Sequence, residues 1–515
     1  MNPAELNIFS SRLDAICDEM GLMLRNAAFS PNIRDRLDFS CAVFDRRGEL
    51  CAQAAHIPVH LGSMAYAMRD VVTGIAWQAG DQVVFNDPYL GGTHLPDVTL
   101  VAPVFCAGEL QGFVVNRAHH ADIGAQRPGS MPISCRLEDE GQIIPPTRLV
   151  RRGEPDRAQL QVLSAAARNP RESAGDFNAQ LAANRAGARA LERLIAQYGV
   201  AAFEAGLEAL NDYAGRLARH ALQRIPDGSY AFSDYLDDDG QGQTDISIAA
   251  VIHVRDGLVE VDFSGTAPQV EGNVNCPLAV AAAAVLYVFR CLMPAQTPAC
   301  AGAFAPIRLH APEGCLLNAR RPAAVAAGNV ETSTRVVDVL LGALAGAVPD
   351  LIPAASQGSM NNLAMGADGD AGWSYYETLG GGMGAHATGD GLDAVQTHMT
   401  NTLNTPVEIL ELQYPLRVGR YAIRRGSGGG GVHCGGDGIV REFEFLGRAH
   451  FTLLTERRRH APWGLMGGQA GMPGENRLNG EPLPGKCERH AGPGDRLSLA
   501  TPGGGGWGED VRPER

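Results

Sequence analysis

Leu6, Phe9, Leu13, Ile16, Met20 and Leu24 recur at spacings of three and four, a single apolar stripe that predicts an amphipathic helix at the start of the chain. The pattern then shortens. "DFSCAVFD" and "ELCAQAA", parted by Arg46-Arg47-Gly48, predict two short strands joined by a turn. Two longer β-branched runs follow, "VTLVAPVF" and "LQGFVVNRA", with Ala107-Gly108 between them as a two-residue hairpin turn. That turn sets residue 106 opposite 109, so Asp97 is expected opposite Ala118 and His94 opposite Ala121. Pro103 within the first run predicts an edge strand or a bulge.

From 155 to 225 the period becomes helical. Phe177, Leu181, Asn184, Ala188, Leu191, Ile195 and Tyr198 form one stripe, interrupted in character only by Asn184. Gly199 ends it, a second stripe runs from Phe203 to Ala221, and "PDG" at 226–228 closes a helical hairpin. Strand-like runs ("SIAAVIHV", "LVEVDFSG") and two helices, at about 277–292 and 331–346, come next. Beyond 406 the chain is short strands and glycine runs such as "GSGGGGVHCGGDG" and "TPGGGGWG", read as tight turns in a β-rich region. The expected fold is mixed α/β (α+β) in four regions. These are an N-terminal α/β region (1–150) carrying the candidate metal site, a helical hairpin (151–226), a central α/β region with a glycine-rich loop (227–405), and a β-rich C-terminal region (406–515).

Composition narrows the function. A net charge of −14 argues against nucleic acid or an anionic membrane as the main partner. No apolar run reaches the length of a membrane span; "CPLAVAAAAVLYVFRCLM" is Ala-rich, carries Arg290, and reads as a buried helix. Eleven cysteines without a paired spacing or a secretory leader lead us to expect reduced thiols and a cytoplasmic location. The chain has one lysine, Lys486, and no GxxxxGK[ST] motif, so ATP is not expected to be bound through a P-loop here.

The chemistry gathers at the open ends of the hairpin. "NDPYLGGTHLPD" brings His94 and Asp97 to one strand end, and "NRAHHAD" brings His119, His120 and Asp122 to the other. Two imidazoles and a carboxylate suit Zn, Fe(II) or Mn. Against this stands the alternative that each is a hydrogen-bonding turn residue; convergence by strand pairing favours the metal. His119 and His120 point to opposite faces, so one suffices as a ligand. Asp122 either binds metal or orients an imidazole. Asp38 is open between a fourth ligand and a capping aspartate. His56 and His60 flank Pro58, which forbids a regular helix between them, and are read as structural or substrate-facing. In "YYETLGGGMGAHATGDG", Glu377 adjoins a bare backbone able to approach a ligand, or is an exposed residue at a turn. "RLDFS" and "NTLNTPVEILE" read as turns and caps.

Taken together, "DFSCAVFD", "HIPVHLGSM", "NDPYLGGTHLPDVTLVAPVF", "NRAHHADIG", "PGSMP", "GGGMGA", "MTNTLNTPVEILE", "GIVREFEF", "ERRRHAPWGLMGG" and "TPGGGGWG" resemble the hydantoinase B/oxoprolinase family, to which the alpha-type subunits of acetone carboxylase are related. The resemblance implies a hetero-oligomer. A hydantoinase A-type ATPase subunit binds ATP and phosphorylates the carbonyl oxygen of a small cyclic amide, and the subunit similar to this chain completes hydrolysis at a divalent metal. It also implies Asp38, His94, Asp97 and His119 as ligands. His120, Asp122 and Glu377 are then the candidates for proton transfer, and His60, Asn86, Asp87 and His386 those for substrate binding. His386 and His433-Cys434 stand where relatives commonly carry arginine, which puts any substrate carried over by name in doubt. The competing expectations are an ATP-dependent ketone carboxylase, separable by bicarbonate dependence, and a non-catalytic scaffold.

Overall fold

In the computed structural model, which describes residues 1–54, 57–369 and 372–509, the first apolar stripe is a helix over Pro3–Ala27. Asn2 caps it and Glu5 completes a capping box, while Phe9, Leu13, Ile16, Met20 and Leu24 are buried. It packs on the helix Pro170–Tyr198, which with Val200–Leu222 forms the expected hairpin about Gly199.

The helices lie against a seven-stranded sheet that carries the candidate site. Its strands are β1 (Phe39–Asp45), β2 (Leu50–Gln53), β3 (Gln82–Phe85), β4 (Asp97–Cys106), β5 (Glu109–His119), β6 (Thr147–Arg151) and β7 (Glu154–Pro155), in the spatial order β2-β1-β5-β4-β3-β6-β7. Ala107 and Gly108, both at positive φ, form the turn between β4 and β5. Cys106 pairs with Glu109 as expected, but the register shifts where Val104 pairs with Gly112 and Phe105 with Leu110. Gln111 is the extra residue of a bulge. The slip puts Asp97 opposite His119 rather than Ala118, and leaves His94 outside the strand. Pro103 is therefore beside a bulge, on an interior strand and beyond the β3 pairing that ends at Val101.

Three smaller sheets complete the architecture. One has four strands between Gly228 and His310, one joins Asn362–Ala367 and Trp373–Glu377 to Ala449–Leu454 and Lys486–Ala491, and a five-stranded one spans Leu416–Ala500. The Ala-rich segment is a helix over Leu278–Cys291, buried along Ala279–Leu286. Its small side chains admit the helix Pro58–Thr73 so closely that a Cβ on Gly62 would lie 2.5 Å from Ala283 Cα. Among the described residues, no helix is long and apolar enough to cross a membrane.

The C-terminal glycines act differently from the tight turns expected. Gly382, Gly436 and Gly504 have ordinary backbone conformations, yet a Cβ on any of them would fall about 2 Å from another segment's carbonyl oxygen. Hydrogen bonds Gly436 N to Met383 O, Gly504 N to Gly436 O and Gly429 N to Gly504 O knit these runs together. Glycine is required for close backbone approach, not for φ.

Candidate metal site

β1 pairs with β5, and the amide of His119 donates to the carbonyl of Asp38 at 3.0 Å, which draws Asp38 to the end of β5. β4 pairs Asp97 with His119 across the sheet. The loop before β4 is pinned by Asn86, whose amide donates to Leu95 O and Gln142 O and whose Oδ1 accepts from Ile144 N. That loop delivers His94. Pro58 occupies the first turn of the helix Pro58–Thr73, where its missing N–H costs nothing, and brings His60 in from above. The expected break in helix is thus a helix start; His56 lies outside the described residues.

His94, Asp97 and His119, all buried, form a cluster whose ligand atoms lie within 4.8 Å of one another. Asp97 Oδ1 is 3.1 Å from His94 Nε2 and 3.1 Å from His119 Nδ1. For His94 Nε2 and Asp97 Oδ1 the spacing fits, because ligands at about 2.1 Å from one cation and roughly at right angles are separated by about 3 Å; the His119 contact is a hydrogen bond from Nδ1–H, which leaves Nε2 as that ring's donor atom. His94 Nδ1 lies 3.2 Å from the carbonyl of Ala326, which fixes the tautomer with Nδ1–H donating and leaves Nε2 a lone pair. That Nε2 is near Asp97 without hydrogen-bonding alignment and is left without a partner, as is His119 Nε2. These imidazole nitrogens, on rings of 0–3 % exposure and clustered with a carboxylate, could hold a cation. The other oxygen, Asp97 Oδ2, accepts from Thr93 Oγ1 at 2.7 Å and Asn329 Nδ2 at 3.2 Å, with His60 Nε2 at 3.2 Å. The cavity, of 20 Å³, is lined by Asp38, His60, His94, Asp97, His119, Asn329 and Tyr376 with Thr378, Thr400 and several apolar residues. It holds about one ion or water.

The electrostatics follow from burial and from the three rings. Burial works to raise the carboxyl of Asp97, but His94, His60 and the hydrogen bonds of His119 and His60 outweigh it and hold it well below the usual carboxylate range. For His94 the same contest ends with Asp97 raising the imidazole, whereas burial wins at His119 and lowers it. Behind His94, Glu140 accepts from Val325 N, Ala326 N and Ser134, and so holds the carbonyl that orients the ring. Burial pushes Glu140 from 4.5 up to about 7 despite those bonds. A carboxyl raised on folding binds more protons in the native than in the unfolded chain between these values. Its contribution is therefore present below pH 4.5 and lost as pH rises toward 7. Unfolding by urea on either side of that window is expected to show stability falling with rising pH, and Glu140→Gln to flatten the fall; an unchanged slope would refute the assignment.

The other sequence candidates are placed elsewhere. His120 is on the opposite face, with Nε2 3.0 Å from Gln180 Oε1 and its ring on Phe177. Asp122 accepts from Gly124 N and pairs with Arg168; it and His120 line a separate cleft of 690 Å³. Glu377 is not an exposed turn residue: fully buried, it binds Arg441, Tyr375 and Asn404, while its neighbours Tyr376 and Thr378 line the cavity. Asp87 caps a single helical turn through Tyr89 N and pairs with Arg321. His386 bonds Thr388 in a glycine loop. Thr93, Asn329 and Tyr376 escaped the sequence reading. Thr93 adjoins His94, a signal that was available, whereas Asn329 comes from a π-helical turn, Gly328–Thr332, with no local sign of the role.

A mixed α/β frame around a buried His–Asp–His donor set narrows the class, and comparison with known proteins gives the family. Residues 2–510 match the hydantoinase B/oxoprolinase family, and the chain belongs to it. It is 39% identical to 5-oxoprolinase 1 of Arabidopsis thaliana, over 98% of this chain but 42% of the plant protein. An ATP-dependent caprolactamase from Pseudomonas jessenii superposes with a TM-score of 0.92 at 29% identity, covering 99% of this chain and 91% of that one. Acetone carboxylase in its nucleotide-free form shares the fold, with a TM-score of 0.86 at 20% identity over 99% of this chain and 76% of the other.

Proposed function

We propose that this chain is the metal-dependent subunit of an ATP-dependent cyclic-amide hydrolase, opening a ring C–N bond after a partner ATPase subunit has phosphorylated the carbonyl oxygen. The observation that carries it is the buried His94–Asp97–His119 cluster with its unpartnered imidazole nitrogens, in a chain of a family that includes a 5-oxoprolinase and similar to a caprolactamase.

His94, Asp97 and His119 hold the cation, with Asp38 at the cavity wall as a fourth donor. When bound, a divalent cation polarises a carbonyl or phosphoryl oxygen and activates water. Asp97 is fixed for this by Thr93 and Asn329. His60, whose Nδ1 is 3.3 Å from Ser40 Oγ, is placed to hold or pass a proton at Nε2 beside Asp97. Tyr376 stacks on His119 at 4.7 Å between centroids and limits its rotation. At 20 Å³ the cavity has room for one reacting group rather than a whole ring.

ATP is assigned to a partner for two reasons. The one lysine is fully buried on Glu456, unavailable to a phosphate. This chain spans 42% of the plant relative's length, and the remainder of that longer polypeptide is where we place the function of an A-type ATPase. The test is ADP release by the chain combined with its ATPase partner across lactams, hydantoins and ketones, with and without bicarbonate. Ring opening without bicarbonate is expected. Turnover of a ketone only with bicarbonate would replace this reading by a carboxylase, for which the structure offers a shared fold alone.

A further inference from the structure

"RLDFS" and "NTLNTPVEILE", read as turns and caps, meet through Arg36, which bonds Leu403 O and Thr402 Oγ1. Arg36 of the first is wholly buried. Its guanidinium donates to Tyr376 O at 2.7 Å, to Leu403 O and Asn32 Oδ1 at 3.3 Å, to Thr378 Oγ1 at 3.3 Å and to Thr402 Oγ1 at 3.4 Å. All five acceptors are neutral. The carboxylate paired with it, Asp38, is 4.0 Å away and belongs to the metal site, so a bound cation would take up that charge. A buried charge ordinarily rests directly on an opposite one. Here the positive charge is passed instead to hydroxyls. Thr378 accepts from Arg36 and from Gln396 Nε2 at 3.2 Å, and lies 2.7 Å from Thr402; Thr400 lies 3.4 Å from Thr402. With two donors already on its oxygen, Thr378 gives its own proton to Thr402, 2.7 Å away; Thr402 turns its proton toward Thr400, and Thr400, held only by long contacts, has a proton to give. Thr378 and Thr400 line the cavity that His94, Asp97 and His119 share.

The geometry points to an oxyanion subsite in which Thr400, polarised by Arg36 through Thr378 and Thr402, receives an anionic oxygen of a phosphorylated ligand beside the metal site. It rests on the reading above, because an activated cyclic amide brings a phosphoryl group to this cavity. Hydroxyl and guanidinium donors fixed before the ligand arrives stabilise such charge without reorganisation.

The test is calorimetric titration of inorganic phosphate into the full chain, metal-stripped and metal-loaded, with acetate as a second probe. Thr400→Val and Thr378→Val keep the shape and remove the hydroxyl. Each is expected to weaken phosphate binding about tenfold or more in both states, the effect of losing a charge-assisted hydrogen bond, while the metal affinity stays unchanged. Unaltered phosphate affinity in both variants, or no phosphate binding by the unsubstituted chain, overturns the subsite. Acetate bound as tightly as phosphate overturns the phosphoryl assignment. A chain that takes up no metal refutes the underlying reading instead, and the metal-stripped titration scores the subsite independently of it.

Discussion

Under the proposed function, His94→Ala is expected to release the metal and abolish ring opening while the chain stays folded and still binds the ATPase partner. The ring is one of three candidate ligands clustered within 4.8 Å, and its Nε2 has no other bond to lose. Removing a group that merely orients a ligand costs about 10–100-fold in affinity; removing the ligand costs more. Metal content by plasma mass spectrometry is expected to fall from about one ion per chain to a small fraction. Near-ultraviolet dichroism and partner association report folding separately. Full metal retention would sink the site as drawn, and full activity without metal would favour a scaffold. Glu377→Gln, by contrast, strikes the Arg441 pair rather than the cavity.

Most of this site was legible because it hangs on a hairpin. Ala107-Gly108 marked the turn, and the two alternating runs fixed which strand ends would meet. What sequence did not reveal was the bulge at Gln111, since nothing local distinguishes an extra residue from a paired one, and that residue decides whether Asp97 faces Ala118 or His119. Asn184 looked like a flaw in a helical stripe. It is buried, donating to Leu100 O and accepting from Asn116, which straps the helix to β4 and β5 behind the site. Glu377 and Arg441 are 64 residues apart, so the carboxylate's partner, and with it the role, was invisible in the local text. The glycine runs were misread for the same reason. Their constraint is set by another segment's backbone, not by their own dihedrals.

The lone lysine gives the largest expected effect on stability. Lys486, at the start of Lys486–Ala491, donates to Glu456, and both side chains are fully buried. Burial works against the ammonium, but Glu456 and then Asp238 more than offset it and raise its pKa. Glu456 also accepts from Asp237 N at 2.8 Å and lies 3.5 Å from Arg335 Nη2, within a group that includes Arg457, Asp234 and Asp338. Lys486→Met keeps the volume and leaves Glu456 with the more distant Arg335. Stranding one partner of a buried pair costs about 3–5 kcal/mol, whereas replacing both by apolar groups of similar size is often near neutral. The single substitution is therefore expected to lower the urea midpoint by an amount equivalent to that range at unchanged slope. Lys486→Met combined with Glu456→Met is expected to recover much of it. Equal losses in the single and double variants would mean that the pair matters through packing rather than through charge.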